Sequence, residues 1–227
     1  MKVPRDNFDP PIIFAIGRWF CRMILEDLFH YEVFGEENVP HHGPCLIVAN
    51  HASFLDPPAA VIGGRRCTFS FARKTLFRKG VWAWMFERFL TIPVDLEGGN
   101  DLGAIRTVIK LLRENQSVLL FPEGSRSPDG QLQPPKRGAA MVAALAQVPV
   151  VPAYIDGTFA AFNRQKKWPN WFSPVRVVYG KALLPDAYDP GPQDPQRYVL
   201  ISQFLMERIA QLKTFFESGR THSPRRL

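Results

Sequence analysis

The sequence predicts a single layered α/β domain: a mixed, largely parallel central sheet flanked by helices and preceded by an amphipathic N-terminal helix. Three observations lead there. Short unbroken apolar runs, Cys45 to Ala49 and Ser117 to Phe121, have the length of strands buried on both faces. Segments with helical spacing alternate with the strand candidates, as in layered α/β folds. The 227 residues, 46% of them hydrophobic, suffice for one domain with a sizeable core and are short for two. No internal repeat or linker divides the chain. The expected bounds are 1–34 for the N-terminal segment, 35–217 for the α/β domain and 218–227 for a flexible tail.

The first element is the N-terminal helix. Ile12, Ile13, Ile16, Trp19, Phe20, Met23, Ile24 and Leu28 recur at three- and four-residue spacing. Asp6, Asp9, Arg18 and Arg22 speak against a cleavable signal peptide, and with Glu26 and Asp27 against a spanning helix. Two readings stay open: a surface helix packed on the core, or a helix lying in the lipid headgroup region. Cys45 to Ala49 follows as a buried strand, and Thr68 to Ala72 as a β-rich alternating one. Thr75 to Phe89 is long enough for a helix interrupted by Gly80, and Thr91 to Val94 makes a short strand. Asn100 to Asn115 has helical spacing, and Ser117 to Phe121 is a buried strand. A Gly-, Ser- and Pro-rich loop spans Pro122 to Pro135. An Ala-rich helix is expected from Arg137 to Ala146. Val148 to Ile155 is a strand whose prolines, Pro149 and Pro152, predict an edge position or a bulge. Val175 to Tyr179 is the last strand and Tyr198 to Phe216 the last amphipathic helix.

The net charge of +7, with a pI near 9.5, favours an anionic partner without choosing among nucleic acid, anionic lipid and phosphorylated small molecules. The basic residues are scattered and no recognition motif accompanies them, so nucleic acid is not expected. Three cysteines, Cys21, Cys45 and Cys67, without CxxC spacing, fit neither a disulfide framework nor a structural zinc site.

The most informative segment is Asn50-His51-Ala52-Ser53-Phe54-Leu55-Asp56-Pro57-Pro58, directly after a buried strand. On a continuous helix His51 and Asp56 would point about 140° apart, so the chain must curl for them to meet. Asp56 before Pro57 reads as a helix cap with proline at the first helical position. Such a pair at the carboxyl end of a strand suits proton abstraction from an alcohol: imidazole takes the proton and the carboxylate fixes its tautomer. Ser53 as an acyl-bearing nucleophile lacks an elbow sequence, and an ordinary loop His beside a capping Asp is the plainer alternative. Phe121 to Ser127 (FPEGSRS) adds a carboxylate, a flexible glycine and a guanidinium suited to phosphate, with Lys136 and Arg137 at a predicted helix start.

Together these segments resemble the glycerophospholipid acyltransferase family that includes 1-acyl-glycerol-3-phosphate acyltransferases. N-H-x₄-D stands at Asn50 to Asp56, F-P-E-G-[ST]-R-S at Phe121 to Ser127, and an apolar strand with spaced prolines at Val148 to Pro152. The likeness runs from about Tyr31 to Gly180. It implies that His51 is the general base and Asp56 its partner, with Glu123, Gly124, Ser125 and Arg126 holding the acceptor, aided by Lys136 and Arg137. It implies no metal and no bound cofactor, with acyl-CoA or acyl-carrier protein as donor. It also implies a lysophospholipid acceptor drawn from a bilayer, on whose cytoplasmic face the protein would sit.

One motif departs. Leu90 to Leu96 stands where the family has G-x-x-F-[IV]-[DN]-R, so the first Gly and the final, phosphate-binding Arg are missing. Arg73, Lys74, Arg78 and Arg126 are the candidate replacements. The departure keeps glycerol 3-phosphate or a lyso-aminolipid open as acceptor, and a non-catalytic lipid-binding protein is the alternative from another class. Leu76 to Trp84, and Phe159 to Phe172 with Lys166, Lys167, Trp168 and Trp171, have the basic and aromatic mixture of lipid-facing patches.

Overall fold

The computed structural model describes residues 12–64, 66–73, 91–94 and 102–219. The expected helix from Thr75 to Phe89, the patch from Leu76 to Trp84, Lys74, Arg78, Leu96 and the tail beyond Gly219 lie outside these residues. In chain order the elements are α1 (Ile12–Phe29), β1 (Glu32–Phe34), β2 (Cys45–Ala49), α2 (Asp56–Gly63), β3 (Thr68–Arg73), β4 (Thr91–Val94), α3 (Leu102–Arg113), β5 (Ser117–Leu120), α4 (Arg137–Ala146), β6 (Val150–Asp156), α5 (Thr158–Phe162), β7 (Arg176–Tyr179), α6 (Pro185–Tyr188) and α7 (Arg197–Glu217).

Seven strands form one sheet in the order β1-β7-β6-β2-β5-β3-β4. β6, β2, β5, β3 and β4 run parallel, β7 is antiparallel to β6, and β1 follows β7. The sheet is therefore mixed and largely parallel, as the sequence predicts.

All five residues of β2 are buried, and their alternation explains why the strand reads as one apolar run. Leu46 and Val48 face a core shared with Leu112 of α3, Ala140 and Ala143 of α4, and Ile201, Leu205 and Ile209 of α7. Cys45, Ile47 and Ala49 face the opposite core, built with Ala59, Ala60 and Ile62 of α2 and Leu25 and Phe29 of α1. Helices thus cover both faces, and no polar position is available on the central strand.

β6 corrects part of the proline reading. It is not at the edge: β7 and β2 flank it. The bulge reading explains how. Ala153 pairs with Tyr179, the Gly180 amide donates to the Pro152 carbonyl at 2.8 Å, and Val150 then bridges Leu183. Lys181 and Ala182 stand opposite Val151 alone, so the missing N–H of Pro152 falls where the ladder slips by one residue. Pro149 lies just before the strand, and its carbonyl accepts from Leu46 at 3.0 Å.

β1 lies inside the segment assigned to the N-terminal helix. Three residues carry too little pattern to be read as a strand. They are held by parallel pairing with β7 and by the Glu32–Arg176 ion pair at 2.8 Å.

Gly157 turns the chain from β6 into α5 at a φ of 78°, and a Cβ there would lie 1.8 Å from the Pro174 carbonyl oxygen. Gly191, at 104°, has open space around it. Gly191→Ala should therefore cost about 1–2 kcal/mol for the left-handed backbone alone. Gly157→Ala should lose more, on the order of 3 kcal/mol or beyond, because backbone must also move. Urea midpoints of the two variants check this; equal losses would mean that the Pro174 contact does not constrain the turn.

Candidate active site

The site forms where β2 and β5 end side by side. Past Ala49, the Asn50 side chain continues the sheet pairing in place of a peptide. Its Nδ2 donates to the Ile155 carbonyl at 2.9 Å, and its Oδ1 accepts the Ile155 amide at 2.7 Å. The chain is thereby anchored to β6 before it curls. Ser53 braces the curl: its hydroxyl donates to the Phe162 carbonyl and accepts the Leu55 amide at 3.0 Å. A hydroxyl so engaged, on a fully buried residue, is a loop brace rather than a nucleophile.

Asp56 sits at 0% exposure and gathers the loop around one oxygen. Its Oδ2 accepts the Ala52 amide at 2.5 Å, the Ser53 amide at 2.7 Å and His51 Nδ1 at 2.9 Å. The expected cap is displaced by one residue: Leu55 is the N-cap, and Asp56 is the first residue of α2. The reason lies in the first turn: Pro57 and Pro58 carry no N–H, and the Ala59 amide, the next that a capping side chain could satisfy, donates to the Leu55 carbonyl at 3.0 Å. The carboxylate is free to turn back over its own loop.

His51 is oriented from two sides. Nδ1 meets Asp56, the ring stacks on Phe121 at 4.1 Å with 16° between planes, and the side chain keeps 18% of its surface exposed. Because a carboxylate only accepts, Nδ1 carries the proton and Nε2 is left with the lone pair.

The second motif loop is clasped to the first through the backbone of the same histidine. The His51 amide donates to Glu123 Oε1 at 3.0 Å, and the His51 carbonyl accepts from the Ser127 amide at 2.7 Å. Glu123 is 2% exposed. Burial pushes its carboxyl up to about 7; the His51 and Gln133 amides pull it down, and Asp56 and Asp129 push it further up.

Gly124 turns the chain at a φ of 68°, and a Cβ there would lie 2.8 Å from Cδ of Lys136, whose side chain crosses the turn. Ser125 is exposed beside it, and Arg137 is exposed as the first residue of α4. The Arg126 guanidinium lies 3.5 Å over the Phe54 ring, which in turn packs against Phe162 at 5.8 Å. Arg73 ends β3, in register with Val94.

The structure therefore joins His51, Asp56 and Glu123 directly, Arg126 to the first loop through Phe54, and Lys136 to Gly124. The roles of Asn50, Phe54 and Phe121 do not follow from the sequence alone. An Asn directly after an apolar strand was the available signal for the first. Among the described residues no group of three or more His, Cys, Asp or Glu side chains could hold a metal ion.

Comparison with known proteins places a family model over the segment that holds both loops. The family model described as Acyltransferase matches residues 30–156. A chloroplastic 1-acyl-sn-glycerol-3-phosphate acyltransferase of Brassica napus is 32% identical over 171 residues, which are 74% of this chain and 49% of that protein. The Bacillus subtilis 1-acyl-sn-glycerol-3-phosphate acyltransferase is 27% identical over 199 residues, 86% of this chain and 96% of that one. The chain thus spans about half the length of the plant relative and nearly all of the bacterial one. The crystal structure of the 1-acyl-sn-glycerophosphate acyltransferase PlsC from Thermotoga maritima superposes with a TM-score of 0.67 at 25% identity. That match covers 89% of this chain and 78% of the other.

The Glu123 carboxyl gives a measurable pH signature. In the unfolded chain it loses its proton near 4.5, in the native protein near 7. Its contribution to stability is fully present below 4.5 and is lost as pH rises through about 7. The urea midpoint should therefore fall between about pH 5 and about pH 8, and Glu123→Gln should flatten that fall. An equal slope in the variant would place the pH dependence on another group.

Proposed function

The chain belongs to the acyltransferase family, and on that premise we propose that it moves a fatty acyl group from a thioester to the free hydroxyl of a lysophospholipid. The acceptor is 1-acyl-glycerol-3-phosphate, giving phosphatidic acid, and the donor is acyl-CoA or acyl-carrier protein. The observation that carries the reading is the His51–Asp56 contact at 2.9 Å, with the carboxylate wholly buried and Nε2 left to accept a proton.

The step balances without an enzyme nucleophile. The acceptor oxygen attacks the thioester carbonyl carbon while its proton passes to Nε2 of His51. A C–O bond forms, and the tetrahedral intermediate collapses with loss of the C–S bond. The thiolate leaves and takes up the proton from the imidazolium, restoring the neutral ring. Asp56 stabilises the imidazolium in between and keeps Nδ1 protonated throughout. Glu123 holds the histidine backbone in place, while Gly124, Ser125, Arg126, Lys136 and Arg137 supply the side that receives the acceptor's phosphate.

A lipid substrate calls for work at a bilayer surface, here its cytoplasmic side. The orientation of α1 supports work at a bilayer surface. Its apolar stripe, Ile16, Trp19, Phe20 and Met23, points away from the domain and is 38–63% exposed. Arg18 instead faces inward and donates to the Gly64 carbonyl at 2.8 Å. No described helix is long and apolar enough to cross a membrane. An outward apolar stripe on such a helix suits lying in the headgroup layer.

Thiol release from palmitoyl-CoA, or from palmitoyl-carrier protein, should require lysophosphatidic acid. It should fall by roughly 10²- to 10⁴-fold in His51→Ala. Asp56→Asn should lose a comparable factor with its fold retained. Release with another lysolipid alone would keep the mechanism and move the acceptor. Histidine-independent release, or none with any donor and acceptor, would overturn the assignment.

A further inference from the structure

The loop between α5 and β7, residues 163–175, combines exposed aromatic side chains with a firmly held backbone. Trp168, Trp171 and Phe172 are 78%, 47% and 63% exposed. They are not carried on a loose segment. The Asn170 amide donates to the Ala161 carbonyl at 2.7 Å, and its side chain donates to Ser173 Oγ at 2.8 Å. The Phe172 amide donates to the Leu28 carbonyl at 2.6 Å, and Trp171 packs on Phe29 at 5.6 Å. Phe172 moreover holds a φ of 66°, a region that side chains with a Cβ rarely adopt. A braced loop that fixes an aromatic residue in a strained conformation and leaves 63% of it exposed, with the His30 ring 6.3 Å away, is built to place that residue against something else.

Charge and position name the occupant. Arg164 and Lys167 are exposed beside the aromatics, and no carboxylate occurs between Asp156 and Asp186. Lysine is depleted in protein–protein interfaces, whereas tryptophan tips with a basic collar suit an anionic headgroup layer. The sheet puts this loop at the catalytic rim. β6 runs parallel to β2, so its carboxyl end, leading into α5 and the loop, lies beside the end that leads into His51. β7 and β1 run the other way, so their first residues, and the last turn of α1, stand at that same rim.

We propose that loop 163–175 is a second lipid contact. With the outward stripe of α1 it forms a two-point seat that turns the His51 rim toward an anionic bilayer. This rests on the membrane reading above.

The test uses the full chain, purified in mild detergent and mixed with vesicles of phosphatidylcholine, alone or with phosphatidylglycerol. Flotation measures binding of the wild type, a Trp168→Ala/Trp171→Ala variant, Phe172→Gly, and a Trp19→Ala/Phe20→Ala variant of α1. The loop variants should bind phosphatidylglycerol vesicles roughly tenfold or more weakly. Their turnover of vesicle-embedded acceptor should drop by a similar factor, while turnover of detergent-dispersed acceptor stays at the wild-type level. The unfolding temperature of Phe172→Gly should hold or rise, since glycine relieves the left-handed backbone. Wild-type vesicle binding by the loop variants, with loss in the α1 variant, would overturn the loop contact and leave the membrane reading standing. A wild type that ignores vesicles yet turns over dispersed acceptor would overturn both. Conversion of a dimer to a monomer by the loop variants, with vesicle binding unaltered, would make the patch an interface between copies and overturn the proposal.

Discussion

The site depends on one buried carboxylate. A charge at 0% exposure is tolerable only when hydrogen bonds replace its water, and Asp56 finds three donors within the five residues before it. Satisfying that oxygen dictates the path of the loop, because two of the donors are successive backbone amides. The third donor is the His51 imidazole. Holding the histidine and burying the aspartate are thus one requirement, and truncating the side chain, so that no accepting oxygen remains, would loosen the loop as well as the ring. The double proline after Asp56 makes this possible by sparing its side chain from helix capping.

A second constraint keeps the two motif loops in register. They approach from adjacent parallel strands, β2 and β5, and meet at the peptide groups of His51 rather than at its ring. This separates duties. The imidazole is left to Asp56 and Phe121, while position is fixed through the backbone. The bidentate Asn50 contact to β6 acts likewise on the other side. The fully buried Tyr179 hydroxyl donates to the Ala60 carbonyl, so the helix that begins with Asp56 is also pinned from the far end of the chain.

Much of this was legible in the residues. The unbroken apolar run of β2 reads as a strand because helices cover both faces of the sheet, and α4 falls at its expected bounds. The His51–Asp56 pair is readable because it is local: five residues and two prolines suffice to imply a curl. What the sequence conceals is long-range. β1 is too short to carry a period and exists through its pairing with β7. The interior place of β6 runs against its prolines, because only the partner's register reveals the bulge that receives one of them. Asn50 and Phe121 stand in plain view, yet their roles require knowing that Ile155 and the His51 ring lie alongside. The outward turn of the α1 stripe likewise depends on which face α2 occupies, which periodicity alone does not give.

The edge strand β1 has a consequence for the order of assembly during synthesis. Its ion pair joins Glu32 to Arg176, 144 positions later in the chain. At translation rates of about 5–20 residues per second, that partner emerges on the order of ten seconds after the strand that needs it. The loop from His51 to Asp56, whose carboxylate, amides and imidazole lie within six consecutive residues, has no such wait for its own contacts. The nascent protein therefore spends an interval with its N-terminal segment synthesised and its sheet unclosed. During that interval the apolar stripe of α1 is already available to any lipid surface near the ribosome.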